Sequence, residues 1–261
     1  MTRTIDLRSV DLTALNALTK YPSIPTHHAL DPKNGGLLEP AVKFAGPVIG
    51  TEKVDGTNGR IIVLPDGSWV IGSREELLHA RGDLIANPAL GIANALKGIA
   101  ERLVATKVDA VRVFYLEVFG GKVTAASKHY TSTQTVSARL FDVVELPVDE
   151  AVFVMSKPPA EISIWKENKG QSFLDETKLN QCAGELSLSL TPRLFTMDGA
   201  ALPGDIVGMH EFLKARLPAT LCSLDIGAGG RPEGMVLRGP DRSIITKARF
   251  EDYERTARRR K

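Results

Sequence analysis

Cysteine is almost missing from this chain: only Cys182 and Cys222 occur in 261 residues, and they form no CxxC pair. That scarcity excludes a disulfide framework and offers no ligand set for a structural zinc ion. Long apolar runs are missing as well. The opening MTRTIDLRSVDLTALNALTKYP carries charges throughout, unlike a secretory signal, and no later segment approaches the length that spans a bilayer. A reducing, cytoplasmic setting without membrane attachment is the expectation. A large excess of one charge sign is also absent. The formal net charge of +2 is too small to announce nucleic-acid binding through bulk electrostatics. Basic residues cluster at the end, in RTARRRK, which a solvated tail explains as readily as a phosphate contact.

What is present is the ordinary balance of a globular protein, 43% hydrophobic and 25% charged. GRIIVL, the turn PDG and SWVIGS read as a hairpin that begins just beyond Lys53. Leu90, Ala93, Leu96, Ile99 and Leu103 recur at helical spacing, so a helix is expected over 90–103. VRVFYLEVFGGKVTAAS returns to strand character with Gly120 and Gly121 as a turn, and ARLFDVVEL is a further strand. Helical patterns follow over 176–186 and 205–217. EGMVLRGPDRSIITKAR then reads as a second hairpin, and DIGAGGRPE as a loop. Strands interrupted by occasional helices, without a βα repeat, predict an α+β protein with mixed, largely antiparallel sheets and flanking helices. No repeat or composition break divides the chain, so one domain over 1–261 is expected.

Several ionisable residues sit beside glycines or inside apolar strands, where charge is costly unless paired. They are Lys53, Asp55, Arg60, Arg74, Glu117, Asp142, Glu233, Arg238, Lys247 and Arg249. Cations and carboxylates arriving from several strands suit a nucleotide polyphosphate with its metal ion. Each also has a plainer explanation. KVDG alone is an ordinary turn, Glu117 pairs readily with Lys122 across Gly120 and Gly121, and Phe141 fits a strand core. His27 and His28 are adjacent in an extended segment and so point to opposite faces, which favours surface placement over a metal pair.

The order of these pieces resembles the covalent nucleotidyltransferases, the superfamily of polynucleotide ligases and mRNA capping enzymes. KVDG resembles the nucleophile motif KxDG, and LEVFGG the glutamate-bearing motif. RLFDVV resembles the aromatic strand that follows, EGMVLR the fourth motif and TKAR the fifth. KYPSI at 20–24 and Arg74, 21 places after Lys53, are most similar to the RNA ligase 2 branch. The resemblance implies an ATP-grasp-like ligase adenylation body and an ATP-dependent RNA ligase using Mg2+ or Mn2+. Lys53 would attack ATP to give lysyl-AMP, AMP would pass to an RNA 5′-phosphate, and a 3′-hydroxyl would complete the seal on RNA ends or a nicked duplex. It implies catalytic roles for Lys53, Lys247 and Arg249. The nucleotide-binding set becomes Glu52, Asp55, Gly56, Arg60, Arg74, Glu117, Phe141, Glu233, Lys247 and Arg249, with Glu233 also toward the metal. Lys128 and His129 become candidates for nucleic-acid contact.

Two departures stand out. The fifth motif ends in Arg249 where the family carries lysine, and a planar fork is not a point charge. Twelve residues follow Arg249, so no appended C-terminal OB or helical domain is expected, and a partner protein is one way to replace its grip. Three alternatives use the same residues: a DNA ligase, a capping-type guanylyltransferase, and a non-catalytic module that binds nucleic-acid ends.

Overall fold

The computed structural model describes residues 5–84, 91–104 and 109–259. In chain order the elements are α1 (Leu12–Thr19), β1 (His28–Leu30), β2 (Leu37–Ala41), β3 (Pro47–Lys53), β4 (Thr57–Val63), β5 (Trp69–Ser73), β6 (Leu77–Ala80) and β7 (Asp83–Leu84). There follow α2 (Ile92–Leu103), β8 (Ala110–Gly120), β9 (Val136–Pro147), α3 (Val148–Met155), α4 (Pro159–Glu167) and α5 (Glu176–Glu185). The last part holds β10 (Arg193–Asp198), α6 (Ile206–Arg216), β11 (Gly234–Arg238), β12 (Ile245–Arg249) and α7 (Phe250–Arg259). The fold is α+β with antiparallel sheets, as the strand patterns indicate. Leu90 of the expected helix and the final Arg260 and Lys261 lie outside the described residues.

The chain divides into two compact units. The first takes the described residues of Met1–Pro22, Gly56–Thr124 and Val136–Leu190. Its sheet has six strands in the order β7-β6-β5-β4-β8-β9. Alternation along β8 sends Val111, Val113 and Tyr115 to one core and Phe114, Leu116 and Val118 to another. Helix α1 covers the first of these faces. It starts because the Asp11 carboxylate accepts from the Thr13 N–H at 2.8 Å, and it buries Leu15 and Leu18 completely. Helix α2 covers the opposite face with Ile92, Leu96, Ala100 and Leu103; of the expected stripe Leu96 and Leu103 are in this core, Ile99 is partly buried against it, and Ile92 takes a place the sequence reading did not give it.

The expected turn at Gly120 and Gly121 is present, with the Val123 N–H donating to the Gly120 carbonyl at 3.1 Å, but the paired strand does not follow it directly. Strand β8 stops at Gly120, a 3₁₀ turn follows over Ala125–His129, and β9 begins only at Val136. The residue opposite Glu117 is therefore Arg139, not Lys122.

The second unit takes the described residues of Ser23–Asp55, Ala125–Thr135 and Thr191–Lys261. Its four-stranded sheet has the order β10-β3-β11-β12, beside the separate pair β1-β2. Val48, Met235, Leu237 and Ala248 face a core shared with Met209 and Leu213 of α6 and Phe250 and Tyr253 of α7. Helix α6 is started by Asp205, whose carboxylate accepts from the Gly208 N–H at 2.8 Å.

Candidate active-site residues

In the second unit, Lys53 is the last residue of β3, not a loop residue ahead of a strand. Gly50, Thr51 and Glu52 conceal that strand in the sequence. Gly50 is required there because the Phe195 ring lies against its backbone, where a Cβ would collide. The register places Lys53 opposite Gly234 of β11, and Gly234 opposite Arg249 of β12. The next row on the same face is Thr51, Val236 and Lys247. Directly opposed residues in antiparallel strands share a face. Lys53, Lys247 and Arg249 therefore project from one side of the sheet. Gly234, with φ of +158° between the two cations, has no room for a Cβ, which would meet the Ala248 carbonyl.

Glu233 precedes β11 and places a carboxylate oxygen 2.5 Å from the Lys53 ammonium. Its own backbone carbonyl accepts from the Phe250 N–H at 3.0 Å, fixing where the strand starts. Arg249 is clasped by Asp252, at 2.7 and 3.0 Å. Burial opposes the charge of Arg249, but the hydrogen bonds and charge of Asp252, with Glu233 and Glu251 behind, outweigh it and raise its pKa. Asp252 also receives Arg255 at 2.5 Å. Sequence reading missed Asp252, although its place three residues beyond Arg249, with helix α7 starting between them, was a usable signal.

Glu52 points to the opposite face from Lys53. Its carboxylate is 1% exposed, accepts from the Leu221 N–H at 2.7 Å and from the Thr220 hydroxyl, and so ties β3 to the segment before β11. The Asp55 N–H donates to the buried Tyr130 hydroxyl at 2.7 Å. Burial pushes the Tyr130 pKa up, so this hydroxyl stays protonated. Lys128 is exposed and His129 half-buried, in the 3₁₀ turn that also leads to Tyr130. The His129 carbonyl accepts from the Gly230 N–H at 3.0 Å.

His27 and His28, expected at the surface, are both buried. The His28 ring lies 2.8 Å from the Tyr253 hydroxyl and 3.2 Å from the Gly204 carbonyl, so polar partners compensate its burial. Among the described residues no group of three or more His, Cys, Asp or Glu side chains is placed to hold a metal ion.

In the first unit, the Gly56 N–H donates to Glu117 at 3.1 Å, and Asn58 stands opposite Glu117 in the β4–β8 ladder. Arg74 is exposed and 3.6 Å from Glu75. Phe141 packs edge-on to Tyr21 at 5.0 Å and lies near Tyr115, in a group that includes Phe173. The Tyr21 hydroxyl donates to the buried Asp142 at 2.9 Å. Arg60 is fully buried and donates to Asn16 of α1. Its place in the β4–β8 ladder puts it on the Glu117 face of the sheet.

The site thus sits on antiparallel sheets with flanking helices, with a lysine at a strand end and an arginine across a glycine from it. The RNA ligase family model matches residues 46–253, and the chain belongs to that family. No curated protein matches the sequence. Among solved structures, a mutant RNA ligase of Naegleria gruberi with AMP and Mn superimposes with a TM-score of 0.57 at 12% identity, covering 90% of this chain and 57% of that one. The same organism's ligase with PPi gives 0.53 at 12%, covering 92% and 64%. An archaeal ATP-dependent RNA ligase gives 0.53 at 15%, covering 90% and 49%. At such identities the likeness establishes the fold, and the chain spans roughly half to two thirds of the length of these proteins.

Proposed function

We propose that this chain is an ATP-dependent RNA ligase that works through a covalent lysyl-AMP. The observation that carries the reading is the second unit's sheet face, where Lys53, Lys247 and Arg249 share a side and Glu233 touches the Lys53 nitrogen. An ammonium has no lone pair with which to attack, so Lys53 first gives up a proton, and Glu233 is a carboxylate within reach to receive it. The amine then bonds to the α-phosphorus of ATP and the bond to pyrophosphate breaks. In-line phosphoryl transfer asks chiefly for positioning and charge balance, which Lys247 and Arg249 offer to the phosphate oxygens. From the first unit, Arg74 and Glu117 are proposed to hold phosphate and ribose oxygens and Phe141 to meet the adenine.

A magnesium or manganese ion would add charge neutralisation. It usually binds one or two carboxylates plus phosphate oxygens and water, and Glu233 fits that modest demand. AMP next passes to an RNA 5′-phosphate, and a 3′-hydroxyl attacks that phosphorus and releases AMP, sealing the strand.

Intact mass after incubation with ATP and magnesium tests the reading. The expected result is a gain of one AMP in the parent chain and none in a folded Lys53→Ala variant. A gain that survives in Lys53→Ala overturns the assignment of the nucleophile, and a gain from GTP in place of ATP would turn the reading to capping chemistry. Sealing of nicked RNA against nicked DNA then settles the strand.

A further inference from the structure

Beside the sheet of the second unit lies a groove into which Lys53 does not enter. Strand β12 is outermost in that sheet, and its outer edge takes up the chain ahead of β1. The Lys247 N–H donates to the Pro25 carbonyl at 2.9 Å, and the His27 N–H donates to the Lys247 carbonyl at 2.8 Å. The β1–β2 hairpin continues from there, held by the Val42 N–H, which donates to the His27 carbonyl at 2.8 Å. Residues of this hairpin, of the chain before it and of β12 line an open groove of about 530 Å³. Small-ligand sites commonly occupy roughly 300–1,000 Å³.

The lining has two chemical parts. Ile24, Pro25, Leu30, Pro40 and Val42 supply an apolar wall, and Lys247 and Arg249 supply positive charge. Leu30 and Val42 are 41% and 37% exposed, so their packing against a ligand would be favourable. No carboxylate is among the described lining residues. Arg249 commits Nε and Nη2 to Asp252 yet keeps 28% of its side chain exposed, which leaves Nη1 for a ligand.

A cation pair beside an apolar wall suits an anion with an apolar body, because a bare phosphate gains nothing from aliphatic side chains. A nucleotide at a strand end has both parts, a phosphate and a base with a flat face to pack. The groove also lies where the proposed chemistry needs such an end. Arg249 stands two strands from Lys53 in the same row, roughly 10 Å at the usual strand spacing. None of the described lining residues comes from β3 or β11.

We infer that this groove holds the 5′-phosphorylated terminal nucleotide of an RNA strand, with its phosphate on Lys247 and Arg249 and its sugar and base against the apolar wall. The RNA identity of the occupant rests on the ligase reading. The two cations would serve ATP first and the strand afterwards, once pyrophosphate has left. Thr26 is the one uncharged polar side chain among the described lining residues, so the base is held by packing and binding tolerates any sequence.

A short single-stranded RNA labelled at its 3′ end is titrated by fluorescence anisotropy with the nucleotide-free parent, Leu30→Glu, Val42→Glu and Leu38→Glu. Leu38 is 43% exposed on the same hairpin but does not line the groove, so its variant controls for added charge. The parent is expected to prefer the 5′-phosphorylated RNA over the 5′-hydroxyl form by about tenfold, the usual worth of a hydrogen bond between charged groups. Leu30→Glu and Val42→Glu should each weaken the phosphorylated RNA by about tenfold, through lost packing and a repelling carboxylate. Leu38→Glu should bind as the parent does, and AMP gain from ATP in the groove variants should fall by less than their RNA affinity. The assignment is overturned if the parent shows no preference for the phosphate, if the groove variants bind like the parent, or if Leu38→Glu weakens binding as much as they do. AMP gain that falls as far as RNA affinity would give the groove to ATP and overturn the strand. Failure of the ligase reading has its own signature, the absence of an AMP mass gain in the parent, whatever these titrations give.

Discussion

At the scale of single residues, Asp252 does the most to organise the charged face without belonging to any motif. Its buried carboxylate answers two guanidinium groups, Arg249 and Arg255, each about a quarter exposed. Removing one member of a buried charge cluster strands the others, so Asp252→Ala is expected to lower unfolding stability by about 3 kcal/mol, read from urea denaturation. The loss also frees Arg249 to change its direction, so the rate of AMP labelling should fall in the same variant. Arg249→Lys offers a contrast: an ammonium cannot make the two-pronged contact with Asp252, and the expected cost in urea is about 1 kcal/mol. Glu52→Ala is a third case. It leaves the Leu221 N–H and Thr220 hydroxyl without their carboxylate and should destabilise by about 2 kcal/mol, while proteolysis near 218–233 speeds up.

At the scale of elements, the buried histidines give the second unit a pH dependence. His27 is lowered to about 4, first by burial and then by the charge of His28. Because the folded value lies below the ordinary 6.5, the unfolded chain binds the proton more readily. The neutral ring therefore contributes its full stability above about pH 6.5, and that contribution is lost as pH falls toward 4, at a cost of up to about 3 kcal/mol. Thermal melts between pH 7 and 4 should show this slope, and His27→Leu should flatten it.

The elements also show what the sequence could reveal. The hairpin β4–β5, helices α2, α5 and α6 and the hairpin β11–β12 were legible because each carries a clean period or a turn signal of its own. Strand β3 was not, since glycine, threonine, glutamate and lysine make up its second half and only pairing with β10 and β11 defines it. The hairpin β1–β2 has mostly exposed side chains and so lacks alternation, and α3 and α4 begin after prolines without a side-chain cap. For the candidate site, residue types and order singled out Lys53, Glu233, Lys247 and Arg249, which the sheet register and the Lys53–Glu233 contact bring together, but not that Glu52 faces away from them. The burial of His27 and His28 was equally invisible, because His28 meets Tyr253 and Gly204 and His27 lies against Phe44 and Thr246, most of them far along the chain.

At the scale of the whole molecule, the near-neutral charge bears on how the proposed RNA ligase would hold a strand. A net charge of +2 gives little long-range pull on RNA, so strand affinity should come from a few local contacts. The salt dependence of RNA binding is then expected to be shallow, with a log–log slope of about −2 to −3, the release expected for three or four phosphates on a single strand. A steep slope measured by fluorescence anisotropy between low and moderate salt would contradict that picture. No helix among the described residues is long and apolar enough to cross a membrane.

Strand β3 carries Lys53 near the start of the chain, yet its two neighbours, β10 and β11, come roughly 140 and 180 residues later. During synthesis at about 5–20 residues per second, β3 would wait on the order of ten seconds with both edges unpaired. The sheet of the first unit needs no residue beyond β9 and can form during that interval. The lysine proposed as the nucleophile is thus made early and completed late, so on that proposal a ribosome-bound chain should take up no AMP until β11 and β12 have emerged.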